Sequence, residues 1–239
     1  YAGSYGWGSP GRVHSGKAQL SRFMNLAGGF TRSVNTYSLA AMEGILPHIA
    51  GPMMPLQLSH HTWQTIADNT ELMVMFGGIP LKNAQVDMGG VPSHSAPEGL
   101  RACAKAGVEF INIGPVRNDA ADFLNAQWLH PRPSTDVALM LGLAHTLVSE
   151  GLHSPDFMAK YCVGFERFLP YLMGQTDGQV KDADWAAGIV ALPADDIRAL
   201  ARRMAAKRTL INMSWSLQRG EHGEQPVWML ITLAAILGQ

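Results

Sequence analysis

Cysteine is nearly absent: Cys103 and Cys162 are the only two in 239 residues. Neither has a second cysteine close in sequence, which excludes a CxxC redox pair and a cysteine metal knuckle. Both are expected to be buried, inert thiols, and nothing in the chain asks for a disulfide between them. Charge is scarce too. With 18 Lys+Arg against 19 Asp+Glu the formal net charge is −1, so the basic footprint that nucleic-acid binding demands is missing and nucleic acid is set aside as a partner. The longest apolar run, VWMLITLAAIL at 227–237, falls short of the roughly 20 residues that cross a bilayer and reads as a core helix. No GxGxxG follows a strand-like run, and no GxxxxGK[ST] loop or GxSxG elbow occurs, which argues against an ordinary dinucleotide fingerprint, a P-loop and a serine hydrolase. His60–His61 and EHGE at 221–224 lack a complete set of spaced zinc ligands and read as solvated or structural.

What is present is apolar and patterned. Hydrophobic residues make up 47% of the chain, enough for a sizeable core in one large domain or two smaller ones. ELMVMFGG (71–78), VEFINIG (108–114) and TLINMSW (209–215) are near-continuous apolar runs, as expected for parallel strands covered on both faces. Between them PEGLRACAKAG (97–107), STDVALMLGLAHTLVSEG (134–151) and ADDIRALARRMAAK (194–207) carry helical spacing, with Gly107 and Gly151 as stops. STD and ADD offer capping oxygens and early acidic charge. Residues 152–193 read as an irregular helical insertion without a clear strand. Near the N-terminus, VHSGKAQLSRFMNLAGG reads as a helix ended by Gly28–Gly29.

Alternating strands and helices predict an α/β fold. Two lobes are expected: a doubly wound, Rossmann-like parallel-sheet dinucleotide-binding domain over 51–215, and part of another α/β domain, built from 1–50 and rejoined by 216–239. The chain opens within YAGSYGWGSPGR and stops at LAAILGQ, which predicts an internal piece of a longer protein.

Ligands of open parallel sheets gather beyond the C-terminal strand ends. That directs attention to the loops GGIPLKN (77–83), GPVRND (114–119), PSTD (133–136) and SWSLQR (214–219). Together they offer Lys82, Asn83, Arg117, Thr135, Asp136, Gln218 and Arg219, a set suited to a nucleotide. Tyr5 and Trp7 stand in a glycine-rich loop, where aromatic side chains serve a surface or pocket more readily than a core. Ser38, in SVNTYSLAAMEGILPHI, has two readings. It caps the following helix, or its Oγ serves as nucleophile or metal ligand.

GSYGWGSPGRVH, LAGGFTRSVNTYS with GILPHIAG, RPSTDVALMLGLAHTLVSEGLH, FLPYLMGQTDG and SWSLQRGEHGEQPVWMLITLAAILGQ resemble the dimethyl sulfoxide reductase family of molybdenum enzymes, along essentially the whole chain. That family reduces dimethyl sulfoxide, trimethylamine N-oxide and biotin sulfoxide by oxygen-atom transfer at a molybdenum held by two molybdopterin guanine dinucleotides. The resemblance implies that Ser38 gives its oxygen to molybdenum, a hard donor suited to that metal. It implies that Trp7 hydrogen-bonds the oxo group and binds cofactor, and that Tyr5 donates to the substrate oxygen. Lys82, Asn83, Gly114, Pro115, Ser134, Thr135, Asp136, Trp215, Ser216 and Arg219 are implied as contacts of one guanine dinucleotide.

Four positions depart from the family pattern. Gly114 stands where an Asp or Asn is common, Thr36 where an acidic residue precedes the tyrosine, Leu39 where Thr or Ala follows the serine, and Gly8 where a basic residue follows the tryptophan. The resemblance further implies a small S-oxide or N-oxide substrate, a c-type cytochrome or other reductant as electron donor, and a location in the bacterial periplasm or cytoplasm, with the periplasm favoured. The family enzyme is about three times as long, so this piece alone is expected to be inactive. The competing expectation is a truncated, non-redox module that binds a nucleotide or a partner.

Overall fold

The structure is a computed structural model that describes residues 13, 15–32, 34–84 and 94–239. Among the described residues four helices come first: α1 (Gly16–Leu26), α2 (Ala40–Ile49), α3 (Met53–Leu58) and α4 (Trp63–Asn69). Then β1 (Leu72–Phe76), α5 (Ser95–Lys105), β2 (Glu109–Ile113) and β3 (Gln127–Leu129) alternate as βαβ and a short return. Five helices follow, α6 (Asp136–Ser149), α7 (Pro155–Tyr161), α8 (Phe165–Leu172), α9 (Ala183–Val190) and α10 (Ala194–Ala205), before β4 (Thr209–Met213) and the last helix, α11 (Glu224–Leu237). The predicted α/β class is what the chain adopts.

Among the described residues the strands form one parallel sheet in the order β3-β2-β1-β4. β1 lies in the middle, with Leu72 opposite Glu109 on one side and Thr209 on the other. All five β1 residues are buried, because both faces of the sheet are covered. Alternation along the strand sends Leu72, Val74 and Phe76 to the face packed by α6, α9, α10 and α11, and Met73 and Met75 to the face packed by α4 and α5. Each large side chain so buried contributes about 1.5–3 kcal/mol relative to exposure. The continuous apolar runs read from the sequence are this two-sided burial.

Helix stops follow the expected glycines. Gly107 and Gly151 take φ of +88° and +67° just past α5 and α6, and Gly28 and Gly29 take +108° and +99° after α1. Only a residue without Cβ enters that region freely. The caps differ from expectation. Thr135 is the residue preceding α6, but its hydroxyl donates to the Arg132 carbonyl at 2.7 Å and makes no cap bond. α10 is preceded by Pro193, which has no side-chain acceptor, so neither STD nor ADD supplies a capping oxygen. The early acidic charge is there nonetheless, from Asp136, Asp195 and Asp196. Cys103 is buried and free, its thiol pushed up by desolvation, whereas Cys162 is free and only half-buried.

Candidate functional site

Strand order reverses beside β1: the chain moves outward through β2 and β3, then returns to the other side as β4. A crevice forms at the carboxyl ends of the strands at such a point. Here Gly77 N–H donates to the Ile113 carbonyl at 2.7 Å, and Ser214 N–H to the Phe76 carbonyl at 2.8 Å, carrying the ladders one residue past the strands. Gly77 and Gly78 then turn the chain with φ of +81° and +67°. A Cβ on Gly77 would lie 2.7 Å from Ser214 Cβ, and one on Gly78 would lie 2.4 Å from the Asp119 carbonyl oxygen. These glycines let three strand-end loops meet.

The result is a cleft of about 300 Å³, lined by Gly77, Ile113, Gly114, Pro115, Asp119, Pro131, Arg132, Pro133, Ser134, Asp136, Ser216, Leu217 and Gly220. Its floor is pinned from below. Buried Asn112 donates through Nδ2 to the Val116 and Arg117 carbonyls at 3.3 and 3.1 Å, and the Trp128 indole donates to the Gly114 carbonyl at 2.8 Å. Preorganised backbone of this kind holds a ligand without rearrangement.

Two carboxylates face the cleft. Asp136 opens α6, where desolvation by burial raises its pKa above the ordinary aspartate range, offset by a bond to its own backbone N–H. Asp119 has Lys82 Nζ 3.7 Å from Oδ1, and its carbonyl accepts from Ile79 N–H at 2.8 Å. Ser134 holds a left-handed backbone, φ +64°, a conformation costly for a residue with a Cβ and concentrated at functional sites.

Of the residues expected to contact cofactor, the cleft brings together Gly114, Pro115, Ser134, Asp136 and Ser216. Lys82 reaches it through its approach to Asp119, while Asn83, Thr135, Trp215 and Arg219 do not line it. Trp215 packs instead with Leu39, Leu46, Met53 and Val227 where α2 meets α11. Tyr5 and Trp7 lie outside the described residues. Asp119 and Arg132 line the cleft without having been singled out as site residues. Asp119 lay within a loop already marked by its strand end, which was the available signal; Arg132 preceded the marked stretch by one residue.

Ser38 is half-buried just before α2, and among the described residues its hydroxyl makes no hydrogen bond. The capping reading is overturned. Leu39 occupies the N-cap position without a side-chain bond, and the first-turn N–H of Ala41 is met by Gln218 Oε1 at 2.9 Å. Gln218, grouped from sequence with nucleotide-facing loop residues, thus turns toward the Ser38 segment and is only 4% exposed.

The donor set suits a nucleotide-bearing group. The cleft is lined by two serines, two aspartates, backbone and Arg132, whose guanidinium donates to the Ile189 carbonyl at 3.4 Å, and a Cβ on Gly114 would meet nothing nearer than Gly77 Cα at 3.6 Å, leaving that wall open. Among the described residues no three His, Cys, Asp or Glu side chains assemble a metal cage. Ser38 does not line this cleft, and its hydroxyl is left without a hydrogen bond among the described residues.

The family model described as molybdopterin oxidoreductase matches residues 1–239. Among curated proteins, the dimethyl sulfoxide/trimethylamine N-oxide reductase of Rhodobacter capsulatus is 46% identical over all 239 residues, which span 29% of that protein. The biotin sulfoxide reductase of Cereibacter sphaeroides is 44% identical over the whole chain and 32% of its own length. The trimethylamine-N-oxide reductase of Haemophilus influenzae is 40% identical, again over the whole chain and 29% of its length. The chain therefore spans about a third of the curated relatives it matches. Among solved structures, acetylene hydratase from Pelobacter acetylenicus aligns over 92% of this chain and 27% of its own, with a TM-score of 0.65 and 24% identity, which speaks to fold alone.

Proposed function

Because this chain belongs to the molybdopterin oxidoreductase family, we propose that the full-length protein reduces an S-oxide or N-oxide and that these 239 residues are its central cofactor-binding portion. The carrying observation is the strand-end cleft, where residues beyond β1, β2 and β4 converge with the start of α6. We assign it one guanine nucleotide arm of a bis(molybdopterin guanine dinucleotide) group. When bound, that group supplies the two-electron redox change of oxygen-atom transfer.

The protein's own residues bind and orient. Ser134 and Ser216 offer hydroxyls, Asp119 and Asp136 accept hydrogen bonds from sugar or base donors, and Arg132 and Lys82 offset phosphate charge. Gly114 and Pro115 supply a close backbone wall. Ser38 is assigned as the protein's oxygen ligand to molybdenum, its negative charge favoured by the start of α2. Tyr5 is assigned to donate its phenolic hydrogen to the substrate oxygen as the S–O or N–O bond weakens, and Trp7 to aim its indole N–H at the charge that develops there.

Metal content of the longest natural polypeptide containing this sequence, purified from a host that makes the pterin, tests the proposal. About one molybdenum per chain is expected, the stoichiometry of a mononuclear site. A folded, full-length protein without molybdenum or tungsten overturns it and favours a non-redox nucleotide-binding module.

A further inference from the structure

We infer that Gln218 is the positioning residue for Ser38: a buried amide, carried by the same turn that lines the cleft, clamps the Ser38 backbone from 180 residues away. Three bonds make the clamp. Gln218 Nε2 donates to the Tyr37 carbonyl at 3.2 Å and the Ser38 carbonyl at 2.9 Å, while Oε1 accepts from Ala41 N–H. The amide has one donor end and one acceptor end, and the Ser38 segment presents two acceptors and a donor in matching order. No charged or purely hydroxylic side chain of that length satisfies all three.

The helix needs this help. α2 has no side-chain cap of its own, so without Gln218 the Ala41 N–H and the Tyr37 and Ser38 carbonyls lose the partner they have here. The clamp is itself held from behind. A Cβ on Gly223 would fall 1.9 Å from the Gln218 carbonyl oxygen, so the backbone of 218 sits against a position that only glycine can occupy without displacement.

The turn spanning Trp215–Arg219 places Ser216 and Leu217 in the cleft wall and Gln218 on Ser38. A wall of the cleft and the hydrogen bonds to the Ser38 segment thus come from one five-residue element. The inference rests on the reading of Ser38 as a molybdenum ligand.

The test uses the full-length, cofactor-loaded protein with Gln218→Met, which keeps side-chain length and abolishes all three bonds, and with Ser38→Ala. Molybdenum X-ray absorption and amide hydrogen exchange over residues 38–42 are the readouts. Gln218→Met is expected to retain at least half of the metal, to lose the light-oxygen contribution in the way Ser38→Ala does, and to exchange Ala41 N–H at least tenfold faster. A spectrum changed by Ser38→Ala but untouched by Gln218→Met overturns the positioning role, whatever the exchange rate. A spectrum untouched by Ser38→Ala overturns the ligand reading first, and the positioning role with it. Should Gln218→Met fail to fold, Gln218→Glu, which keeps the acceptor for Ala41 and loses the donor, is read by the same spectral criterion.

Discussion

β1 and α1 are two ends of one scale. Every β1 residue is buried, with Leu72, Val74, Met75 and Phe76 at 0% exposure, while α1 buries none and leaves Phe23 and Leu26 in the open. α2 falls between them, burying Leu46 alone. The cleft inherits its geometry from the first kind of structure, because its walls are the immediate continuations of buried strands. Ser38 belongs to the second kind. Its segment gains its place from Gln218 and from the small cluster that joins Leu39, Leu46 and Met53 to Val227 of α11. Precision that is intrinsic at the cleft is borrowed at the serine.

From that contrast, Phe76→Ala is expected to lower unfolding free energy by about 3–5 kcal/mol, the range for truncating a fully buried aromatic, as read by denaturant melts of the full-length protein. Gly78→Ala comes next, at about 2–3 kcal/mol, since it combines a left-handed backbone with a Cβ 2.4 Å from the Asp119 carbonyl. It should also weaken guanine nucleotide retention, measured by release on denaturation. Leu46→Ala should cost about 2 kcal/mol, at the low end for a leucine, because its small cluster can collapse around the gap. A loss equal to that of Phe76→Ala would erase the distinction between the regions.

The smallest effect sharpens the comparison from the cleft side. Asp136 has a folded-state pKa above its unfolded one, so the unfolded chain holds fewer protons than the folded one wherever pH lies between the two values. Its ionised form opposes folding at neutral pH, and that cost fades as pH falls through the folded-state pKa. Asp136→Asn should therefore stabilise the empty protein slightly at pH 7, with the gain vanishing in acid, while reducing cofactor retention. A variant less stable than wild type at neutral pH would show that the bond to its own N–H outweighs desolvation.

The sheet was legible because burial on both faces writes an uninterrupted apolar run, and β1, β2 and β4 lie within the three runs seen in the sequence. β3 was not. It has three residues, begins with exposed Gln127, and is too short to show any period. The cleft was legible as loops, since strand ends mark them, yet which loop residues turn inward depended on Gly77, Gly78 and the folding of 114–119 back over Asn112. The caps failed for a local reason: a nearer carbonyl engaged the Thr135 hydroxyl. The clamp on Ser38 joins residues 180 positions apart and leaves no periodic trace at all.

Gly114 carries one last implication, for how such a protein can diverge. Its φ lies outside the left-handed region, and an added Cβ would rest at ordinary contact distance from Gly77 Cα. The strand behind it and the Trp128 indole bonded to its carbonyl hold the backbone whatever side chain is present. The position is therefore a replaceable tile in the cleft wall: a single substitution there changes what the wall presents while the framework behind it stays constant.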